Sequence, residues 1–168
     1  TKTDTEVVVH LYEDYGEDCL KYLRGMFAFA IWDDNRKQLF LARDRVGKKP
    51  VYYTWINGNF YFASEIKSFL VIPEFKKDIN LKAIHYYLNY QYIPSPMTIW
   101  KNVFRLEPAN SLILDKSGKV KILRYWDIDF RKKTGLDFEE AKFRLRELLK
   151  EATKLRLIAD VPLGAFLS

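Results

Sequence analysis

The spacing of apolar residues divides the chain into a mixed first part and a helical last part. Apolar side chains recur at helical spacing near the start, at Val8, Leu11, Tyr12 and Tyr15. This spacing predicts a helix that ends at Gly16, followed by a second short helix over 17–23. The helical period returns after Asp137, which is placed to cap the last helix.

Between these helices the pattern changes to that of strands. Four short runs have the composition of strands: 26–32, 38–42, 51–55 and 60–63. The first run is continuously apolar, which predicts a strand buried on both faces. Asn57 and Gly58 predict a tight hairpin turn, because both turn positions favour positive φ. We expect these four strands to form one antiparallel meander.

Further along, capping and turn residues mark the remaining elements. Ser64 is expected to cap a short helix that runs to about Leu70, and Asn80 a helix over 81–89. The turn 115–118 predicts another hairpin. Neighbouring hairpins with helices segregated from them favour the α+β class. A short apolar run at the very end predicts a parallel strand that lacks neighbours, so we expect a fragment of a longer protein.

Composition narrows the classes of protein. The chain has 168 residues, of which 48% are hydrophobic and 30% charged, which is typical of a soluble globular domain. The net charge of +6 is spread along the chain, so we expect a solvated surface and no nucleic-acid partner. The single cysteine, Cys19, fits a reducing compartment. No apolar run reaches the roughly 20 residues of a membrane span, so we expect a cytoplasmic protein with no membrane contact.

Several short stretches stand in a distinctive order along the whole chain. They are 3–6 (TDTE), 23–33 (LRGMFAFAIWD), 42–53 (ARDRVGKKPVYY), 62–67 (FASEIK), 105–109 (RLEPA), 125–126 (YW) and 160–168 (DVPLGAFLS). Each stretch is a weak signal by itself, whereas the ordered set is specific. In this set the chain resembles the glutamine-hydrolysing asparagine synthetases.

The resemblance implies a domain organisation for the parent protein. Residues 1–129 would be the C-terminal part of an N-terminal-nucleophile glutaminase, an αββα sandwich. Residues 130–136 would be a linker. Residues 137–168 would be the first helix and strand of a doubly wound α/β synthetase domain, cut at the mouth of its phosphate-binding loop.

The resemblance also implies an ATP-dependent carbon–nitrogen ligase with glutamine as amido donor. The parent would convert ATP, aspartate and glutamine to asparagine, glutamate, AMP and pyrophosphate, with Mg²⁺ for the ATP chemistry. The family nucleophile is an N-terminal cysteine, which would lie upstream of Thr1. We therefore expect no catalytic residue in this chain and no activity from the chain alone. The resemblance leaves open whether the parent protein forms a homodimer.

A few residues match binding positions of the family. Asp4 matches the aspartate that holds the α-ammonium of glutamine, and it could equally serve as a plain helix cap, since the two roles are compatible. Phe166, Leu167 and Ser168 match positions that bind ATP. No set of residues at metal-ligand spacing is found, so no metal site is expected in this chain.

Some alternatives stay open at this point. Arg43, Asp44 and Arg45 are either an active-site feature or an ion-pair network that braces a loop. The parent could be a related amidotransferase that acts on a sugar, a peptide or a β-lactam precursor. The chain could instead be a non-catalytic basic module that binds nucleic acid, or the product of a short reading frame that is unstable by itself.

Overall fold

The computed structural model describes residues 3–166, which form two compact units. Unit 1 comprises Thr1–Ile128 and unit 2 comprises Asp129–Ser168. The helices of unit 1 are α1 (Asp4–Tyr15), a 3₁₀ helix (Gly16–Lys21), a second 3₁₀ helix (Ile66–Val71) and α2 (Leu81–Tyr90). Its strands are β1 (Ala28–Asp33), β2 (Gln38–Arg43), β3 (Tyr52–Ile56), β4 (Asn59–Ala63), β5 (Val103–Arg105), β6 (Asn110–Leu114) and β7 (Val120–Arg124).

These strands form two antiparallel sheets, so the expected single meander is wrong. Sheet A has the order β1-β2-β6-β7, and sheet B has the order β4-β3-β5. Leu41 of β2 lies opposite Ala30 of β1 on one side and Leu112 of β6 on the other. Because β6 occupies the second edge of β2, the connection 44–51 leads the chain into the other sheet. Adjacency in sequence could not reveal this long-range pairing.

The strand that is buried on both faces is β2 rather than β1. Phe40 packs with Tyr12 of α1 on one face of sheet A, and Leu41 packs with Leu112 on the face towards sheet B. Among the described strands, β1 lies at the edge of sheet A, and Trp32 is 59% exposed. A continuous apolar run therefore gave the wrong burial for β1, because the run does not reveal a strand's place in the sheet.

The described residues of unit 1 form a hydrophobic core on each face of sheet A. The first joins α1 and the 3₁₀ helix to β2, and it contains Cys19 and Leu20, both fully buried. The second fills the space between the sheets and includes Val51 and Leu106. Burying one such aliphatic side chain contributes about 1.5–3 kcal/mol. The layers thus run helix, sheet, sheet, which are three of the four layers of the αββα sandwich that the resemblance implies.

Two of the turn and cap predictions in unit 1 are confirmed, and one is wrong. Asn57 and Gly58 both have positive φ, 49° and 80°, and they close the hairpin between β3 and β4. The Asn80 side chain accepts a hydrogen bond from the Ala83 N–H at 3.3 Å and so caps α2. The prediction for Ser64 is wrong, because the backbone stays extended for one residue more and Glu65 occupies the N-cap position without a side-chain cap bond.

Unit 2 consists of α3 (Phe138–Lys154) and its flanking segments. Asp137 caps α3 as predicted: its carboxylate accepts from the Glu140 N–H at 2.9 Å, and the Glu140 carboxylate accepts in return from the Asp137 N–H. Residues 161–166 form no strand, contrary to expectation. A strand is held by hydrogen bonds to neighbouring strands, and the described part of unit 2 contains no other strand.

Candidate functional site

A groove of about 760 Å³ opens in unit 1 between the start of α1 and the edge strand β1. Its apolar surface comes from one side of α1 and from the segment Met26–Ile31, of which Met26 is 54% exposed. The remaining walls come from the connection after β2 and the segment after β4. The polar groups at the groove are Asp4, Thr5, Arg24, Lys49, Ser64 and Glu65.

Asp4 lies in the first turn of α1 and lines this groove. The N-cap position belongs to Thr3, so Asp4 is not the cap of the helix. The free N–H groups at a helix N-terminus give that end a partial positive charge, which favours a carboxylate there. No hydrogen bond or ion pair with another described residue engages the Asp4 side chain, which is exposed. A ligand ammonium therefore has access to this carboxylate.

A second wall of the groove is a loop that a buried carboxylate holds in place. Asp44 is fully buried. Its Oδ1 accepts from the Val46 and Lys48 N–H groups at 3.2 and 2.9 Å, and its Oδ2 accepts from the Lys49 N–H at 2.9 Å. These three bonds wrap the loop around the carboxylate, and the loop places Lys49 and Pro50 at the groove. Buried charges of this kind are stable only when they are fully hydrogen-bonded.

Arg43 holds the same loop through hydrogen bonds to backbone carbonyl groups. Its guanidinium donates to the carbonyl oxygens of Lys49 at 2.8 Å, Gly47 at 2.7 Å and Leu106 at 2.5 Å. Burial lowers the pKa of Arg43 below its ordinary value. Gly47 has φ of 67°, and a Cβ there would lie 2.8 Å from the Arg43 guanidinium and from Pro108. Only glycine fits this close approach without strain.

Arg43 and Asp44 thus brace a loop through hydrogen bonds to backbone groups rather than through ion pairs. The Arg45 guanidinium lies over the Trp126 ring, 5.6 Å from its centroid. The Tyr125 hydroxyl donates to the Arg43 carbonyl oxygen at 2.7 Å. Burial, with a further contribution from the Asp44 charge, raises the pKa of Tyr125 to about 12. The end of β7 is therefore tied to the same network.

Of the three residues expected to bind ATP, the structure describes one, Phe166. Phe166 belongs to unit 2, is fully exposed and lies in a segment without regular secondary structure. Leu167 and Ser168 lie outside the described residues. A phosphate site needs a cradle of backbone N–H groups. The assignment of Phe166, Leu167 and Ser168 to a nucleotide site therefore stays a prediction.

Besides Thr5, which adjoins Asp4 in α1, four polar residues that the sequence did not single out for binding share the groove with Asp4: Arg24, Lys49, Ser64 and Glu65. Glu65 is paired with Lys67, whose Nζ lies 2.6 Å from its carboxylate. Each of the four lies in a stretch that carries the resemblance, just before or after a strand. That placement was the available signal, because loops at strand ends supply most binding residues.

Two other kinds of feature are absent from residues 3–166, the part of the chain that the structure describes. No helix in that range is long and apolar enough to cross a membrane. The same residues contain no group of three or more His, Cys, Asp or Glu side chains that could hold a metal ion.

Several known proteins are similar in sequence to this chain. The chain is 41% identical over 172 aligned residues to putative asparagine synthetase [glutamine-hydrolyzing] 2 of Methanocaldococcus jannaschii, and the alignment covers all of the chain and 33% of that protein. It is 38% identical to asparagine synthetase [glutamine-hydrolyzing] 3 of Bacillus subtilis, over 99% of the chain and 27% of that protein. Amidase chyE of Penicillium rubens is 37% identical, with 99% and 25% covered. The chain thus spans a quarter to a third of these relatives.

Solved structures and a family model give the fold and the family. Glutamine phosphoribosylpyrophosphate amidotransferase from B. subtilis, complexed with ADP and GMP, superposes with a TM-score of 0.52 at 22% identity, over 75% of this chain and 23% of that chain. This likeness supports the N-terminal-nucleophile glutaminase fold expected for unit 1. The model of the glutamine amidotransferase domain matches residues 1–126. The chain therefore belongs to the glutamine amidotransferase domain family.

Proposed function

We propose that this chain is part of a glutamine-dependent asparagine synthetase and that its groove binds glutamine. In this proposal residues 1–129 belong to the glutaminase domain, 130–136 form the linker, and 137–168 begin the synthetase domain. The observation that carries the proposal is the exposed Asp4 carboxylate at the groove, in a chain that matches asparagine synthetases along its whole length.

The groove offers what the backbone end of an α-amino acid requires. Asp4 supplies a carboxylate for the α-ammonium group, and the charge-assisted hydrogen bonds of such a pair are about twice as strong as neutral ones. The apolar segment Met26–Ile31 suits the methylene groups of the glutamine side chain. Hydrolysis of the side-chain amide would then give glutamate and ammonia.

The chain as given does not supply the nucleophile for that hydrolysis. Its single cysteine, Cys19, is fully buried, and burial raises the pKa of the thiol to about 11. Since the thiolate is the reactive form, Cys19 is inert near neutral pH. The nucleophile would come from an N-terminal cysteine elsewhere in the complete protein, and the 168-residue chain would bind glutamine without hydrolysing it.

In the complete protein, ATP would activate the aspartate side chain as an acyl-adenylate with release of pyrophosphate. Ammonia would then displace AMP and leave asparagine. Mg²⁺ would accompany ATP, and Phe166, Leu167 and Ser168 would contribute to the nucleotide site only within a complete synthetase domain. A sugar, a peptide or a β-lactam precursor would replace aspartate in a related amidotransferase.

The glutamine site is tested by titrating the 168-residue chain with L-glutamine, monitored by NMR. We expect Asp4→Asn to weaken binding about 10–100-fold, because a charged hydrogen bond is worth about 1.5–3 kcal/mol. Asp14→Asn is the matched control, since it removes the same charge from the exposed end of the same helix. Equal affinities for the two variants would contradict the assignment of Asp4.

The acceptor is tested separately in the complete natural protein. With ATP, Mg²⁺ and glutamine, we expect aspartate to give asparagine and AMP in equal amounts. AMP formation with a different acceptor, and none with aspartate, would assign the protein to a related amidotransferase.

A further inference from the structure

We propose that Asp44 is a positioning residue for the glutamine groove, acting through the loop that forms its wall. This inference rests on the proposed function of the groove. Asp44 does not line the groove, whereas the residues that it holds, Lys49 and the adjoining Pro50, do. We therefore expect its removal to change the affinity for glutamine before it changes the chemistry.

The two carboxylate oxygens of Asp44 have different tasks. Oδ1 bonds the N–H groups of Val46 and Lys48, which lie within the loop, and Oδ2 bonds the N–H of Lys49 at 2.9 Å. The Lys49 carbonyl is fixed at the same time by the Arg43 Nε at 2.8 Å. Both backbone groups of the wall residue Lys49 are thus held by neighbouring side chains of one buried pair. An exposed loop without such bonds would sample many positions.

The same residues connect the wall to both sheets. Arg43 ends β2 of sheet A and donates to the Leu106 carbonyl, just beyond β5 of sheet B. The Asp44 N–H donates to the Phe27 carbonyl at 2.9 Å, and Phe27 itself lines the groove. Asp44 therefore ties one wall of the groove to the residues that lead into β1 on its apolar side.

This arrangement allows a graded test in the complete natural protein, with glutamine hydrolysis as the readout. Asp44→Asn keeps one acceptor oxygen, and with it one or two of the three bonds, whereas Asp44→Ala loses all three. We expect KM for glutamine to rise about 3-fold in the first variant and about 10-fold or more in the second, with kcat within about twofold. A role limited to stability would lower the amount of active protein and leave KM unchanged.

Asp115 provides a matched control. Its carboxylate also accepts from backbone N–H groups two and four residues ahead, those of Ser117 at 2.8 Å and Lys119 at 3.1 Å, in a turn that does not line the groove. Asp115→Asn and Asp115→Ala should leave KM for glutamine unchanged. An equal rise of KM in the Asp115 variants would overturn the proposal.

A second measurement reports whether the wall residue Lys49 is held in place, independently of the KM for glutamine. In the 168-residue chain, amide hydrogen exchange at Lys49 should accelerate at least 10-fold in Asp44→Ala, while exchange in β6 stays unchanged. Faster exchange with an unaltered KM would overturn the positioning role. A wild-type protein that neither binds nor hydrolyses glutamine would refute the proposed function, and the positioning role with it.

Discussion

Units 1 and 2 obtain their structures in different ways. In unit 1 the buried side chains meet from distant parts of the chain, as Leu41 does with Leu112. In unit 2 the stabilising contacts of α3 are local: the capping box at Asp137 and the ion pair between Lys142 and Glu139. No described residue of α3 is buried. Local signals are therefore enough to specify a helix, whereas a core requires pairing partners that are remote in sequence.

The largest expected effect compares two leucines, one from each unit. Leu112 is fully buried, and Leu148 of α3 is 51% exposed. Leu112→Ala should lower the free energy of unfolding of unit 1 by about 2–5 kcal/mol, because it leaves a cavity. Leu148→Ala should change the stability by no more than about 0.5 kcal/mol. Urea unfolding followed by far-UV circular dichroism, which reports both the helix of unit 2 and the sheets of unit 1, measures both changes. Similar losses would show that α3 is buried in solution.

Two glycines, one from each unit, allow a second comparison of the units. Gly47→Ala places a methyl group 2.8 Å from Arg43 at a positive φ, so we expect a loss of about 2–3 kcal/mol in the free energy of unfolding. Gly135 of unit 2 has open space around it, and Gly135→Ala should be neutral within about 0.5 kcal/mol. Urea midpoints compare the two variants. A neutral Gly47→Ala would mean that the Arg43 loop is not rigid.

The cap of α3 tests whether unit 2 is stabilised by local contacts alone. Asp137→Ala removes the capping box of α3 and should cost the helix about 1 kcal/mol, which frays its first turn. Backbone ¹³Cα shifts of α3 report this loss, while the urea midpoint of unit 1 should not move. Asp160→Ala is the control, because Asp160 lies outside the helix. A shift in the midpoint of unit 1 would show that the two units are coupled.

The smallest effect concerns alkaline pH. Burial raises the pKa of Tyr125 from 10.0 to about 12, so its neutral form stabilises folded unit 1. That contribution is complete below pH 10 and is lost as the pH rises through about 12. In Tyr125→Phe the fall of stability across this range should be shallower, by less than about 1 kcal/mol, because Tyr125 is only partly buried. An unchanged slope in the urea midpoints would show that the phenol is solvated.

The confirmed sequence predictions are those that depend on neighbouring residues. Asn57 with Gly58 predicted a turn, and Asn80 and Asp137 predicted caps, because each interaction involves groups within a few positions. The single meander was wrong because β2 pairs with β6, which the local pattern cannot show. The cap at Ser64 failed because the chain remains extended there through Glu65.

The candidate site likewise has one part that local sequence signals predicted and another part that depends on long-range contacts. Asp4 was found from its own stretch and its place at a helix start, and the structure puts it at the groove. The wall formed by Lys49 and Pro50 was not predicted, because it depends on how Asp44 folds the loop and on how Arg43 spans the two sheets. The strand expected over 161–167 did not form in its described part, since a strand is a property of a sheet rather than of a segment.

The buried thiol of Cys19 makes the molecule convenient for spectroscopy. It is the only cysteine in the sequence, and a pKa of about 11 keeps it unreactive towards maleimides at neutral pH. A new cysteine at an exposed position, such as Lys116→Cys in unit 1 or Lys150→Cys in unit 2, would therefore react alone, without prior removal of the native thiol. Fluorophore pairs attached in this way would report the distance between the units in the absence and in the presence of glutamine.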